Sequence, residues 1–234
     1  MNSKKHFTLL ELVIVIGVML IGFSLSGFFI SKVQRDTKAA KCAENLFRMG
    51  KATFKYVADH NGNLPYAGED YDCWKMQIAT YMGIQVPAKK GGKDTFAVYH
   101  CPSDMNKMPS YMEKDPFYLG KMSYAANHYV IDVKHNDLNK DEWQTTRKLN
   151  SIDGPDTVIL YAENHNRKNV VGSGLSLVWD RNKHEFSYPE AAKKGYHNWQ
   201  NNYLLLDGGV ELYSFHYTTE PENLWLLKFG KTDL

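Results

Sequence analysis

At 234 residues, with 43% hydrophobic, 23% charged and 13% aromatic side chains, the chain has an ordinary globular composition, which excludes wholesale disorder and a collagen-like repeat. Its 28 basic and 26 acidic residues leave a formal charge of +2, too small a field to gather a phosphate backbone, so no nucleic-acid partner is expected. Cys42, Cys73 and Cys101 contain no C-x-x-C pair, so the spacing of a structural zinc ribbon is missing and neither a metal nor a cofactor is expected.

Residues 7–30 form an apolar run in which Glu11 is the sole ionisable side chain, long enough as a helix to cross a bilayer core. Lys4 and Lys5 precede the run and Lys32 and Arg35 follow it, so counted charges bias its orientation only slightly. Gly17, Gly22 and Gly27 suit either close helix packing or a lipid-facing surface. Ser24-Leu25-Ser26 offers the small-x-small pattern of a signal-peptide site, but the run continues through Phe28, Phe29 and Ile30, so an anchor is the preferred reading. A carboxylate in that phase costs on the order of 2 to 3 kcal/mol. No basic residue lies one turn away from Glu11 on the apolar side, so it either meets a partner from another chain or snorkels to the interface.

The string Lys4-Lys5-His6-Phe7-Thr8-Leu9-Leu10-Glu11-Leu12-Val13 resembles the prepilin cleavage and methylation motif of type IV pilins and type II secretion pseudopilins: a basic leader, then F-T-L-x-E, then an apolar helix. It departs from that pattern at His6, where the family usually has glycine. The resemblance implies that a prepilin peptidase cuts between His6 and Phe7 and methylates the new Phe7 amine, and that Glu11 meets the amine of a neighbouring subunit during assembly. It further implies a leader in the cytoplasm, a single pass through the cytoplasmic membrane, and a periplasmic or extracellular head.

Past the apolar run, Val33 and, seven residues on, Ala40, Ala43, Phe47, Gly50, Phe54 and Val57 at three- and four-residue steps form one stripe, with Lys41, Glu44, Arg48, Lys51 and Lys55 on the other side. Asn61-Gly62-Asn63-Leu64-Pro65 supplies a stop. The helix is therefore expected from about Phe7 to about His60, with its stripe on the chain's own sheet or in a short coiled-coil seam. The expected division is a leader at 1–6, a transmembrane half at 7–30, an amphipathic half at 31–61 and a globular head at 62–234.

In the head, 74–82 reads as a short helix, and 96–100, 129–133, 157–162 and 175–179 as strands. Tyr203 to Tyr213 reads as a β-hairpin about Asp207-Gly208-Gly209, and 134–148 as a polar surface excursion. The expected fold class is α+β and pilin-like, a long N-terminal helix packed on an antiparallel sheet. With one bridge available to three cysteines, Cys73 with Cys101 is the expected pair, because both fall in the head.

His197, nine intervening residues and Asp207-Gly208 look like the H-X9-DG segment of a large group of prepilin-type proteins. Cys101-Pro102-Ser103-Asp104, Ser123-Tyr124-Ala125-Ala126-Asn127 and Asn45-Leu46 are similar to shorter motifs of that group. His197 and Asp207 read as a structural pair across strands in preference to metal ligands, and Asp207, like Asp104, as a cap on turn donors. No H-E-x-x-H, G-x-S-x-G or glycine-rich phosphate loop occurs, and His100 beside Cys101 does not make a nucleophile pair by adjacency, so no catalytic residue is expected. The expectation is a structural subunit of a pilus or pseudopilus, with prepilin peptidase, other subunits and membrane lipid as partners. The alternative is a non-polymerising, membrane-tethered module whose aromatics bind a carbohydrate or protein.

Overall fold

The computed structural model describes residues 8–66, 73–84, 96–107, 110, 120–131, 147–165, 170–171, 176–177, 179–180, 185–186 and 195–226. His6 and Phe7, the expected cleavage position, lie outside the described residues, as does most of the 134–148 excursion.

Helix α1 runs unbroken over Leu9–Asp59, 51 residues, or about 76 Å at 1.5 Å per residue. Thr8 caps it: its hydroxyl accepts the Glu11 N–H, while a Glu11 carboxylate oxygen accepts the Thr8 N–H and O–H, each at 2.9 Å. This capping box gives Glu11 partners inside its own chain, which the sequence-based reading did not foresee. At the far end Asn61 and Gly62 take left-handed φ of 54° and 85°, and the Gly62 N–H turns back to the Val57 carbonyl. The stop thus falls where it was expected.

The two halves of α1 face different surroundings. Every described large hydrophobic from Leu9 to Val33 is exposed, and this half is apolar enough and long enough to cross a membrane. Ser24, inside it, donates its hydroxyl to the Leu20 carbonyl at 2.8 Å, so its polar group is satisfied within the helix. The second half buries Cys42, Asn45, Leu46, Met49, Ala52, Thr53, Tyr56 and Val57. The expected stripe is turned from this face by about one residue, or roughly 100°: Val33 and Phe47 are exposed at 62% and 44%. The true face includes Asn45 and Thr53, polar residues that an apolar count passes over.

The main sheet has the order β5-β2-β3-β8-β9, formed by β2 (Tyr124–Asn127), β3 (Ile159–Glu163), β5 (Ser176–Leu177), β8 (Asn201–Leu205) and β9 (Val210–Tyr213). Strands β2, β3, β8 and β9 pair antiparallel, and β5 adds to β2 in parallel. Two small ladders, β1 (Gly120–Lys121) with β4 (Val170–Val171) and β6 (Trp179–Asp180) with β7 (Glu185–Phe186), stand apart. The architecture is α+β, with a long N-terminal helix and a four-stranded antiparallel core sheet.

Both faces of this sheet are covered. Tyr124, Ala126, Leu160, Tyr161, Leu204 and Leu206 join the core beneath α1, whereas Ala125, Ile159, Ala162, Tyr203, Leu205 and Trp225 form the core on the other side. Burial on two faces explains the continuous apolar run Tyr203 to Leu206, which lacks simple alternation. Leu160 and Tyr161 are neighbours yet share one core, because the β3–β8 register shifts between Ile159 and Tyr161. Gly50 lets α1 approach β8 closely: a Cβ there would lie 2.9 Å from Leu204 Cδ1.

Other expectations fare unevenly. The 74–82 helix appears as α2 (Trp74–Ala79) followed by a 3-10 turn at Thr80–Met82. The 157–162 strand is β3 and the hairpin is β8–β9. The 175–179 segment carries β5 and the start of β6. The 96–100 segment is instead a 3-10 turn at Ala97–Tyr99, and Tyr129 lies in the helical turn His128–Ile131, started by its N–H bond to Asn127 Oδ1. Short apolar runs do not distinguish strand from buried turn. Strand β2 went unseen because its alanines carry little strand preference.

Candidate functional site

The helix and the head are joined by a covalent link. Cys42, on the docked face of α1, is disulfide-bonded to Cys101, which follows the Ala97–Tyr99 turn; their Cα atoms are 5.1 Å apart. This corrects the expected Cys73–Cys101 pair. Cys73 is a buried free thiol at the start of α2, and burial raises its pKa, which keeps it protonated and unreactive. The expectation failed because it treated Cys42 as part of a stalk separate from the head, whereas Cys42 has no exposed surface.

Beside the disulfide lies a buried acid and imidazole. His197 Nε2 is 2.7 Å from Oε1 of Glu163, the last residue of β3, and the two side chains are 4% and 0% exposed. The Glu163 Oε2 accepts the Asn202 N–H at 2.8 Å, and Oε1 accepts Asn202 Nδ2 at 3.2 Å. That same amide donates to the Ala39 carbonyl, binding sheet to helix. On the other side of the ring, His197 Nδ1 faces Ser103 Oγ at 3.5 Å. The Cys101 sulfur lies 3.7 Å from Glu163 Oε1 and 3.8 Å from His197 Nε2.

The expected pairing of His197 with Asp207 is not made. His197 precedes β8 and Asp207 follows it, so the strand holds them at opposite ends. Asp207 Oδ1 accepts the Gly209 N–H at 2.8 Å, the turn-capping role expected of it. Gly208 takes φ +96°, and a Cβ on it would meet Phe54 Cε2 of α1 at 3.0 Å, so this position favours glycine on both counts.

The scattered short motifs converge here. Asn45 Nδ2 donates to the His100 carbonyl and to the Tyr124 hydroxyl, and that hydroxyl reaches the Cys42 carbonyl. Asp104 accepts from Lys121 Nζ at 2.8 Å, from Ser123 Oγ at 2.9 Å and from the Asn106 N–H at 3.0 Å. Burial pushes the Asp104 carboxyl up, but the Lys121 ammonium and its neighbours outweigh this and hold it below the usual range. Asn127 Nδ2 ties the Ile159 and Trp225 carbonyls together across the far core. Thr53 bonds the Tyr161 hydroxyl at 2.8 Å lower on the same interface.

Next to Asp104, His165 stacks on Tyr196 with centroids 3.6 Å apart, and its Nε2 is buried without a hydrogen-bond partner among the described residues. Desolvation lowers its pKa to about 3, against partial support from Asp104, so the ring is neutral. Sequence reasoning missed Cys42, Glu163, Asn202 and His165. Among them only Cys42 carried a signal, as the third cysteine. Glu163 looks like a polar residue ending a strand. Comparison with family models, curated proteins and solved structures returns no match.

Proposed function

We propose that the chain is a prepilin-like structural subunit of a type II secretion pseudopilus or type IV pilus, matured by prepilin peptidase and assembled through α1. The observation that carries this reading is the division of one continuous helix. Its docked half is locked to the head, while its apolar half, beginning with the F-T-L-x-E pattern around Glu11, exposes every large hydrophobic among its described side chains. Such a surface requires lipid before assembly and neighbouring helices after it. The Cys42–Cys101 bond supports a head in an oxidising compartment, with the leader in the cytoplasm. Glu163 and His197 act in this reading as structural groups that satisfy each other in the interior.

The capping box adds a detail to assembly. Glu11 holds Thr8 in place, so a neighbouring subunit's amine approaches a carboxylate already oriented at the helix start. The alternative, a tethered binding module that never polymerises, draws on Trp199, which is 69% exposed on a turn with φ of 54° and 68° at Asn198 and Trp199.

Intact-mass and N-terminal peptide analysis of the protein from cells that contain the peptidase tests the proposal. A methylated Phe7 terminus is expected. An intact leader in such cells would refute maturation and leave the tethered module.

A further inference from the structure

Cys42, Cys101, Glu163 and His197 each direct one donor atom into the same buried spot, and all of these atoms lie within 4.8 Å of one another. We infer that this cluster is a two-state site: in the disulfide form it is closed on itself, and in the dithiol form it binds one zinc-class divalent cation through two thiolates, the His197 imidazole and the Glu163 carboxylate. The inference stands whether or not the chain polymerises.

The geometry is close to what a cation requires. Zinc sits about 2.3 Å from sulfur and about 2.0 to 2.2 Å from imidazole nitrogen or carboxylate oxygen, so a tetrahedron has sulfur-to-nitrogen or sulfur-to-oxygen edges of about 3.6 Å. The observed edges from Cys101 Sγ are 3.8 Å to His197 Nε2 and 3.7 Å to Glu163 Oε1. Two edges must open: Nε2 to Oε1, from 2.7 Å to about 3.3 Å, and sulfur to sulfur, from bonded to about 3.8 Å; the two edges from Cys42 Sγ, each within 4.8 Å, are set by the same cysteine rotation. With Cα atoms 5.1 Å apart on separate segments, side-chain rotation of the cysteines supplies the second opening.

The outer contacts already suit ligation. With His197 Nε2 on the cation, its Nδ1–H points to Ser103 Oγ, and Asn202 holds the carboxylate from two directions. Two thiolates with an imidazole select zinc, and exclude calcium or magnesium, which prefer all-oxygen sites. Four protein ligands leave no open position, so the site is structural. The ligands come from α1, the loop after the Ala97–Tyr99 turn, β3 and the segment before β8, so a bound cation would hold the same junction as the disulfide.

The exchange balances. A dithiol reductant gives two electrons and two protons, its own sulfurs joining as the Cys42–Cys101 bond opens to two thiols. Cation binding then releases both thiol protons to solvent. Re-oxidation by a disulfide-bearing oxidant reverses the sequence and frees the cation.

The test uses the full chain in detergent with Cys73→Ser as background, so that only two thiols remain. It is unfolded, reduced with a phosphine, refolded anaerobically and titrated with Co(II) and then Zn(II). Tetrahedral Co(II) absorption saturating at one equivalent, displaced by Zn(II) and absent from the disulfide form, is expected. In the reduced background, His197→Ala and Glu163→Gln should each weaken Co(II) binding at least about tenfold. Zn(II) should also raise the melting temperature of the reduced chain and leave the oxidised chain unchanged, a readout independent of the variants. The inference is overturned if the reduced chain binds no Co(II), if the oxidised chain binds equally, or if both variants bind as the background does.

Discussion

Removing the Cys42–Cys101 link with the double substitution Cys42→Ala/Cys101→Ala tests how the helix is held to the head. The bond closes a separation of 59 residues, for which loop-closure entropy predicts a loss of about 4 kcal/mol. The substitution leaves Asn45, Thr53 and the apolar face of α1 in place, so the head should still fold, but closer to its limit. Guanidinium titration of the full chain in detergent, followed by tryptophan fluorescence, reads this directly, because Trp74 stacks on Tyr161 at 4.5 Å inside the docked core. The midpoint should fall and the slope should rise, because the uncrosslinked unfolded chain exposes more surface, and hydrogen exchange should accelerate first around residues 39–46, next to the lost bond. Using the double variant also removes both sulfur ligands, so adventitious metal cannot mask the effect. A loss below about 1 kcal/mol would refute the reasoning, since it would mean that packing alone holds the helix. Cys73→Ser costing as much as the double variant would refute the pairing.

If the chain assembles as proposed, Glu11→Ala should leave membrane insertion intact and reduce incorporation into filaments, counted by shear and immunoblot. Glu11→Gln separates the causes, because glutamine keeps the Thr8 cap but carries no charge; filament yield restored by glutamine would refute a charge-based contact between subunits. For His165, the folded pKa of about 3 lies below its ordinary 6.5. Stability is therefore full above pH 6.5 and falls as the unfolded ring takes up a proton on acidification, by about 2 to 3 kcal/mol at pH 4.5. His165→Phe, which can keep the stack on Tyr196, should lose that much less than wild type between pH 7 and 4.5 in urea titrations, and an equal loss would overturn the assignment. Lys75 is fully buried, and desolvation lowers its pKa to about 8. Both states are charged below pH 8, so Lys75→Met should stabilise by about 3 kcal/mol at pH 7, a gain fading toward pH 10.5, as measured by thermal melts across that range. Gly208→Ala should cost about 1 to 2 kcal/mol in the same melts, from its positive φ and the nearby Phe54 ring.

Much of the fold was legible because it rests on local signals. A long apolar run, then a three- and four-residue rhythm, then Asn61-Gly62 specify one long helix and its end. Asp207-Gly208-Gly209 between apolar runs specifies a hairpin, since a left-handed turn residue and an Asp cap are properties of a few adjacent residues. The stripe on α1 was misplaced for a related reason: apolar counting treats Asn45 and Thr53 as outward, and their burial depends on the Tyr124 and Tyr161 hydroxyls, which lie 79 and 108 residues away.

By itself, then, the amino-acid order determined where the long apolar run lies, how far the helix runs and where the chain turns back, because each follows from side chains within one or two turns of one another. Only the tertiary structure decided which cysteine meets Cys101, that His197 faces Glu163 and not Asp207, and that the short motifs gather at one junction. Those choices compare segments far apart along the chain, and they are settled by which face of α1 the sheet covers and by the cost of leaving buried polar groups such as Asn45, Thr53 and Glu163 without a partner.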